Sequence, residues 1–313
     1  MGRTATLPRS PLRGLGPDPR QLSLVKDPDP RPFLKWVGGK TQLLEQLQPL
    51  LPPTFRRYFE PFVGGAALFF DLRAKERLNA EITLSDVNAE LVDAYVAIRD
   101  QVDDVIAVLR DHKYESDYYY EVRKLDRSKL TLPQRAARTV FLNKTGYNGL
   151  YRVNRSGQFN VPFGRFTNPA FCDVENLRAC SRALRGVDIT CADFEAVLEN
   201  ARKGDFVYFD PPYVPLSPTS DFTAYIPGGF GEGEQRKLAK VFGKLAKRGV
   251  YAMLSNSDTP FVRELYKDFD IETVYAARSV NSNAARRGKL PEVVVRTYDG
   301  KKAAARAAAK SSK

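Results

Sequence analysis

Between residues 57 and 298, short apolar runs alternate with longer stretches in which apolar residues recur every three or four positions. The first kind of run predicts strands and the second predicts amphipathic helices. Strands are expected at 57–62, 82–85, 187–191, 206–209 and 250–255, with two more near 271–275 and 293–298. Helices are expected at 65–76, 176–184, 194–201, 234–247 and 260–268. Such alternation predicts an α/β fold with a doubly wound, mostly parallel sheet.

One stretch interrupts the alternation. Residues 89–172 hold no convincing strand, so they read as a mainly helical insert between the second and third strands. A long helix is expected over 88–111, with Leu91, Tyr95, Ile98, Val102 and Ile106 on one face, and further helices over 118–125 and 133–144. An irregular segment rich in Gly, Asn and Arg follows, to Phe166. The predicted organisation is one sheet-bearing unit made of 31–88 and 173–300, with 89–172 inserted in it. Residues 1–30 are rich in Pro, Gly and Arg, 301–313 are basic and of low complexity, and both ends are expected to be disordered. No internal repeat is visible.

Charge sharpens this picture. The chain carries a net +12, which points to an anionic partner. Within its body, residues 131–168 contain Arg135, Arg138, Lys144, Arg152, Arg155 and Arg165 and neither Asp nor Glu. The same segment holds Phe141, Tyr147, Tyr151, Phe159, Phe163 and Phe166. Cations interleaved with aromatic rings suit phosphate contact and base stacking. Three cysteines (Cys172, Cys180, Cys191) without metal-type spacing and a single histidine, His112, argue against a zinc site, a disulfide framework or a His-activated nucleophile. No run approaches 18 apolar residues and no apolar signal core is present, so a cytoplasmic protein is expected, nucleoid-associated when bound to DNA.

Four strand ends and one predicted helix start carry candidate chemistry. Asp210-Pro211-Pro212-Tyr213 follows the buried-type strand 206–209, at the end of a strand where open α/β sheets bind ligands. Two prolines stiffen the turn and remove backbone donors. Asp210 and a carbonyl there can accept N–H bonds from an exocyclic amine while Tyr213 stacks on its ring. Residues 58–66 run from a strand into a Gly-rich turn, and Asp86 ends the next strand, 22 positions beyond Gly64. A carboxylate so placed can accept from both ribose hydroxyls. The loop lacks Gly-x-Gly-x-x-Gly, which disfavours a nicotinamide cofactor and favours S-adenosylmethionine. Residues 33–40 (Phe-Leu-Lys-Trp-Val-Gly-Gly-Lys) precede a predicted helix, whose start together with Lys40 could hold that cofactor's carboxylate. Asp193-Phe194, after the third strand, offers a carboxylate and a ring for its adenine.

In this order, the boxes at 33–40, 60–65, Asp86 and 210–213 resemble those of the DNA adenine-N6 methyltransferases of the Dam type. Asn143–Arg165, which contains Asn-Lys-Thr-Gly-Tyr-Asn-Gly-Leu-Tyr-Arg, is similar to the DNA-recognition segment of the GATC-methylating members. The resemblance spans about 31–300 and implies a Rossmann-like methyltransferase fold with an inserted DNA-recognition domain. It implies cofactor contacts at Trp36, Lys40, Glu60, Phe62, Gly64, Asp86, Asp193, Phe194 and Asp210, and catalysis by Asp210, Pro211, Pro212 and Tyr213. Tyr147 and Asn148 would fill the space around a flipped adenine, and Leu150, Arg152 and Pro162 would read GATC. Lys35, Arg138, Lys144, Asn160 and Arg165 complete the expected contacts with double-stranded DNA. No metal is implied, and a cognate restriction endonuclease is a possible partner. Two departures stand out. Residues 64–66 read Gly-Gly-Ala where relatives often have Gly-Gly-Gly or Gly-Ala-Gly, and Phe166 lacks the hydroxyl of the Tyr in some enterobacterial members. Other readings stay open: another recognition sequence, an RNA or protein-glutamine methyltransferase, a nicotinamide-dependent oxidoreductase, or a DNA-binding protein without catalysis.

Overall fold

The computed structural model describes residues 28–154, 156–215, 229–276 and 290–299. Both predicted tails, apart from residues 28–30, and Arg155 lie outside these residues. Seven strands form one sheet: β1 (Arg57–Glu60), β2 (Glu81–Asp86), β3 (Asp188–Cys191), β4 (Phe206–Phe209), β5 (Tyr251–Ser257), β6 (Asp270–Ala276) and β7 (Leu290–Arg296). Their order is β3-β2-β1-β4-β5-β7-β6. The first five in that order are parallel, while β7 runs antiparallel to both β5 and β6. The doubly wound, mostly parallel sheet expected from the sequence is therefore present.

Strand β4 shows why its sequence is apolar throughout. Successive side chains point to opposite faces of a sheet. Phe206 and Tyr208 join a hydrophobic cluster with Tyr58, Leu68, Leu91 and Phe141 on one face. Val207 and Phe209 join Phe59, Leu238, Phe242 and Tyr266 on the other. The first face is covered by α2 (Ala67–Ala74), α3 (Ala89–Asp100) and their neighbours, after a single-turn α1 (Leu44–Leu47). Next come α4 (Val102–Asp111), α5 (Ser116–Lys124), α6 (Leu132–Thr145) and α7 (Val174–Leu184). The second face is covered by α8 (Val197–Asn200), α9 (Glu232–Lys247) and α10 (Pro260–Leu265).

Three local expectations change. The single helix expected over 88–111 breaks at Gln101, whose φ of −140° and ψ of 40° are not helical. The helix expected after Lys40 is reduced to α1 between two 3-10 turns, because Pro49, Pro52 and Pro53 forbid its continuation. That leaves no extended helix whose start could bind an anion. The segment expected to be irregular contains a hairpin bridged at Val153–Phe159 and Gly146–Phe163. Its turn is made by Asn154, whose Oδ1 accepts from the N–H groups of Ser156 (3.0 Å) and Gln158 (2.9 Å).

Candidate active site

Strand order reverses between β1 and β4, so the loops leaving their carboxyl ends diverge and open a crevice. Glu60 ends β1, Asp86 ends β2 and Asp210 follows β4, and all three line one cavity of about 520 Å³. Trp36, Lys40, Phe62, Gly64, the two prolines and Tyr213 line it as well. Gly64 is required where it stands. Its φ is +43°, and a Cβ there would lie 2.8 Å from Trp36 Cδ1. The Trp36 ring is itself held by stacking on Tyr151, with centroids 5.4 Å apart. Tyr95 donates its hydroxyl to the Gly64 carbonyl (3.0 Å). Ala66 adopts φ +50° without the relief a glycine would give, a strain of about 1 kcal/mol.

Burial sets the acid chemistry. It pushes the Glu60 carboxyl up to about 8, against the opposing effect of the Tyr58 hydroxyl that donates to it at 2.7 Å. Asp86 rises to about 6 for the same reason, opposed by the N–H groups of Asn88 (3.0 Å) and Gly64 (3.4 Å). Asp210 also rises to about 6 through burial, opposed by Lys40, whose Nζ stands 2.7 Å from Oδ1. Lys40 additionally donates to the Gly38 carbonyl and lies 4.6 Å from the Tyr213 ring centre. The lysine expected to meet a cofactor carboxylate thus engages Asp210 in this structure. Among the described residues no cluster of potential metal ligands occurs.

The turn after β4 is fastened by residues that sequence reading missed. Tyr213 donates its hydroxyl to Glu292 on β7 (2.6 Å). Gln235 on α9 donates to the Pro212 carbonyl (2.8 Å), and Asn256 on β5 accepts from the Val214 N–H (3.1 Å). Ser257 donates its hydroxyl to the Val214 carbonyl (2.7 Å). Nothing in local sequence marks these residues; their relevance follows from strand order and register, in which Ser257 pairs with Glu292.

Asp193 and Phe194 are placed differently from the others. They do not line the cavity: Asp193 caps a 3-10 turn by accepting from the Glu195 N–H, and Phe194 is buried behind Phe62, stacked at 5.4 Å. Phe194 therefore reaches the cavity through Phe62.

A wider cleft of about 1170 Å³ adjoins the cavity, and Trp36 and Lys40 line both. Lys35, Lys144 and Phe166 are on its walls. The Lys35 Nζ lies 4.3 Å from the centre of the Phe166 ring, an interaction that needs no hydroxyl there. Tyr147 and Asn148 form an exposed turn directly after α6, with Asn148 at φ +54°. Leu150 is half-buried, while Arg152, Pro162 and Arg165 are exposed. Arg152 and Asn160 face each other across the hairpin, Nε donating to Oδ1 at 2.7 Å. Arg138 is the correction. It is 4% exposed and donates to the Val122 (3.1 Å) and Arg123 (2.8 Å) carbonyls beside Glu90, so it cannot reach DNA. A buried cation of this kind knits α5 and α3 to α6; its charge in the sequence marked a structural ion, not a contact surface.

Comparison with known proteins agrees with this geometry. Residues 36–280 match the D12 class N6 adenine-specific DNA methyltransferase family. Type II methyltransferase M1.LlaDCHI of Lactococcus lactis subsp. cremoris is 42% identical over 276 residues, covering 86% of this chain and 95% of that protein. Type II methyltransferase M.MjaIII of Methanocaldococcus jannaschii is 41% identical, covering 86% and 99%. A DNA adenine methylase of Haemophilus influenzae is 32% identical, covering 88% and 96%. With most of its length matched to the family and its strand-end acids gathered around one cleft, the chain belongs to the D12 class of N6 adenine-specific DNA methyltransferases.

Proposed function

We propose that the protein transfers a methyl group from S-adenosylmethionine to N6 of an adenine flipped out of double-stranded DNA, within GATC. The observation that carries this reading is the position of Asp210–Tyr213, on the wall of a cavity that opens beside a cleft lined by Lys35 and Lys144. The cavity residues fit the cofactor. Asp86 offers a carboxylate for ribose hydroxyls, Glu60 an acid for its ammonium, and the Gly64 turn brings backbone within reach. S-adenosylmethionine supplies an electrophilic sulfonium methyl group.

The chain's own residues supply position and electrostatics. Adenine N6 is a poor nucleophile because its lone pair is delocalised into the ring. Asp210 and the Pro211 carbonyl accept its two hydrogens, which turns the lone pair out of the ring plane and stabilises the positive charge that grows on nitrogen. For this the target amine replaces the Lys40 ammonium at Asp210. No base need act before transfer. Tyr213 stacks on the extruded base in place of its lost neighbours. In this reading 89–172 is the DNA-recognition unit, with Tyr147 and Asn148 around the flipped base, Leu150, Arg152 and Pro162 at the recognition bases, and Lys35, Lys144, Asn160 and Arg165 at or near the backbone. The type II names of two relatives support a restriction endonuclease as a partner in the cell, and action on chromosomal DNA would place the protein in the cytoplasm.

The test uses tritiated S-adenosylmethionine with matched duplexes containing GATC, GTTC or neither. Incorporation confined to GATC supports reaction and specificity together. Incorporation into adenine elsewhere keeps the chemistry and discards the specificity, and none into any DNA overturns the reading.

A further inference from the structure

Behind the catalytic turn, two fully buried amides form a chain of hydrogen bonds with only one possible direction. Asn256 is 0% exposed and Gln235 is 1% exposed. Asn256 Oδ1 faces two backbone donors, Val214 N–H at 3.1 Å and Ser257 N–H at 2.8 Å. Only an oxygen can sit there, so the orientation of this amide follows from chemistry. Its Nδ2 is thereby turned toward Gln235 and donates to Oε1 at 3.0 Å. That in turn directs Gln235 Nε2 at the Pro212 carbonyl, 2.8 Å away. Every polar atom along this line has a partner of the right kind, and reversing one amide would set like atoms against each other.

The Pro212 carbonyl is the acceptor immediately after the one that the reaction uses. In a proline-proline turn with no N–H at either residue, backbone donors cannot fix which carbonyl points inward. We propose that Gln235 and Asn256 are positioning residues for methyl transfer: they hold the Pro212 carbonyl inward and so keep Asp210 and the Pro211 carbonyl presented to the target amine. This rests on the adenine-N6 reading above. Neither residue touches substrate, so the expected effect falls on turnover and not on affinity for DNA or cofactor.

A charge-switchable variant gives the test. In Gln235→Glu, a protonated carboxyl reproduces the native pattern, with its carbonyl accepting from Asn256 and its hydroxyl donating to Pro212. The ionised carboxylate offers the Pro212 carbonyl no hydrogen and repels it. Burial raises the carboxyl's pKa, so the switch falls above the usual carboxylate range. Turnover of the full-length variant is measured from pH 6 to 9 and divided by wild-type turnover at each pH, which cancels titration shared by both. The expected ratio is near one at the acid end and falls roughly tenfold to a hundredfold at the alkaline end, with KM for DNA and cofactor steady and Tm above the assay temperature. A ratio that does not change with pH, or one that falls only where Tm approaches the assay temperature, overturns the proposal. If Gln235→Glu does not fold, Asn256→Asp carries the same test, since its protonated form also donates to Gln235 Oε1. Wild type assayed alongside separates two failures. No adenine methylation by wild type sinks the underlying reading, whereas normal wild-type activity with a flat ratio sinks only the positioning role.

Discussion

Asn143 closes its side-chain amide onto both backbone groups of Lys35: Lys35 N–H donates to Oδ1 and Nδ2 donates to the Lys35 carbonyl, each at 2.7 Å. The same Nδ2 reaches the Gly149 carbonyl at 3.1 Å. One residue near the end of α6 thus ties the segment that carries Trp36 and Lys40 to the turn at 147–149, whose Tyr147 and Asn148 are exposed. Asn143→Ala removes these three bonds, one buried and two partly buried, a loss of about 2–3 kcal/mol. The expected result is weaker binding of S-adenosylmethionine and of DNA together, by roughly tenfold or more each, measured by titration of either ligand alone.

In the proposed mechanism Asp210 accepts a hydrogen bond from the target amine and faces the positive charge that grows there, so its ionised form is the active one. With its carboxyl raised to about 6, turnover should decline as pH falls through 6. Asp210→Ala should abolish transfer while leaving DNA binding measurable, and a variant retaining a tenth of wild-type turnover contradicts the mechanism.

Glu60 gives a linkage prediction. Raised to about 8, it is mostly neutral at pH 7 in the free protein. A cationic cofactor favours its ionised form, so binding at pH 7 should release a proton, detectable by calorimetry in buffers of different ionisation enthalpy. The sign for stability follows. Between its unfolded value near 4.5 and about 8, the native state holds a proton that the unfolded chain has lost, so Tm of the free protein should fall as pH rises through that window. Cofactor should flatten or reverse that slope.

Arg138 and Arg165 separate a structural charge from a surface one. Arg138→Ala leaves a cavity, strips the Val122 and Arg123 carbonyls of their donor and leaves Glu90 with Arg127 alone, and should cost about 3 kcal/mol, seen as a lower Tm. Arg165 is exposed. Arg165→Ala should leave Tm unchanged and lower the slope of log affinity against log salt by about one, if that arginine meets a phosphate.

Arg152 is braced by Asn160 twice, Nε donating to its side-chain Oδ1 (2.7 Å) and Nη2 to its carbonyl (3.2 Å), which leaves Nη1 and the second Nη2 hydrogen to face a base edge. Arg152→Ala should relax preference at one guanine by about 1–3 kcal/mol. Asn160→Ala should produce a smaller relaxation at the same base. Equal loss on all sequences would mark Arg152 as a backbone contact.

Much of this architecture was legible in the chain because the information is local. The β4 strand is read from its unbroken apolar run, Asp210–Tyr213 from its composition, and the Gly64 turn from its glycines. What escaped is set by distance in sequence. Glu292 meets Tyr213, and Asn256 meets Val214, only after β7 has taken an antiparallel place beside β5. Arg138 was misjudged because composition records a charge and not the carbonyls that surround it. The hairpin at 151–160 was missed because its strands are too short to show alternation.

The position of β7 also has a consequence for synthesis. Among the described strands it is the last in the chain, yet it lies inside the sheet, with β6 paired to its outer edge. Until residues 290–296 emerge, β6 has no neighbour to pair with among the described strands, β5 lacks its partner on that side, and Tyr213 has no Glu292 to hold it. A nascent chain that has already made every box recognised in its sequence should therefore hold the Asp210–Tyr213 turn with one of its fastenings missing.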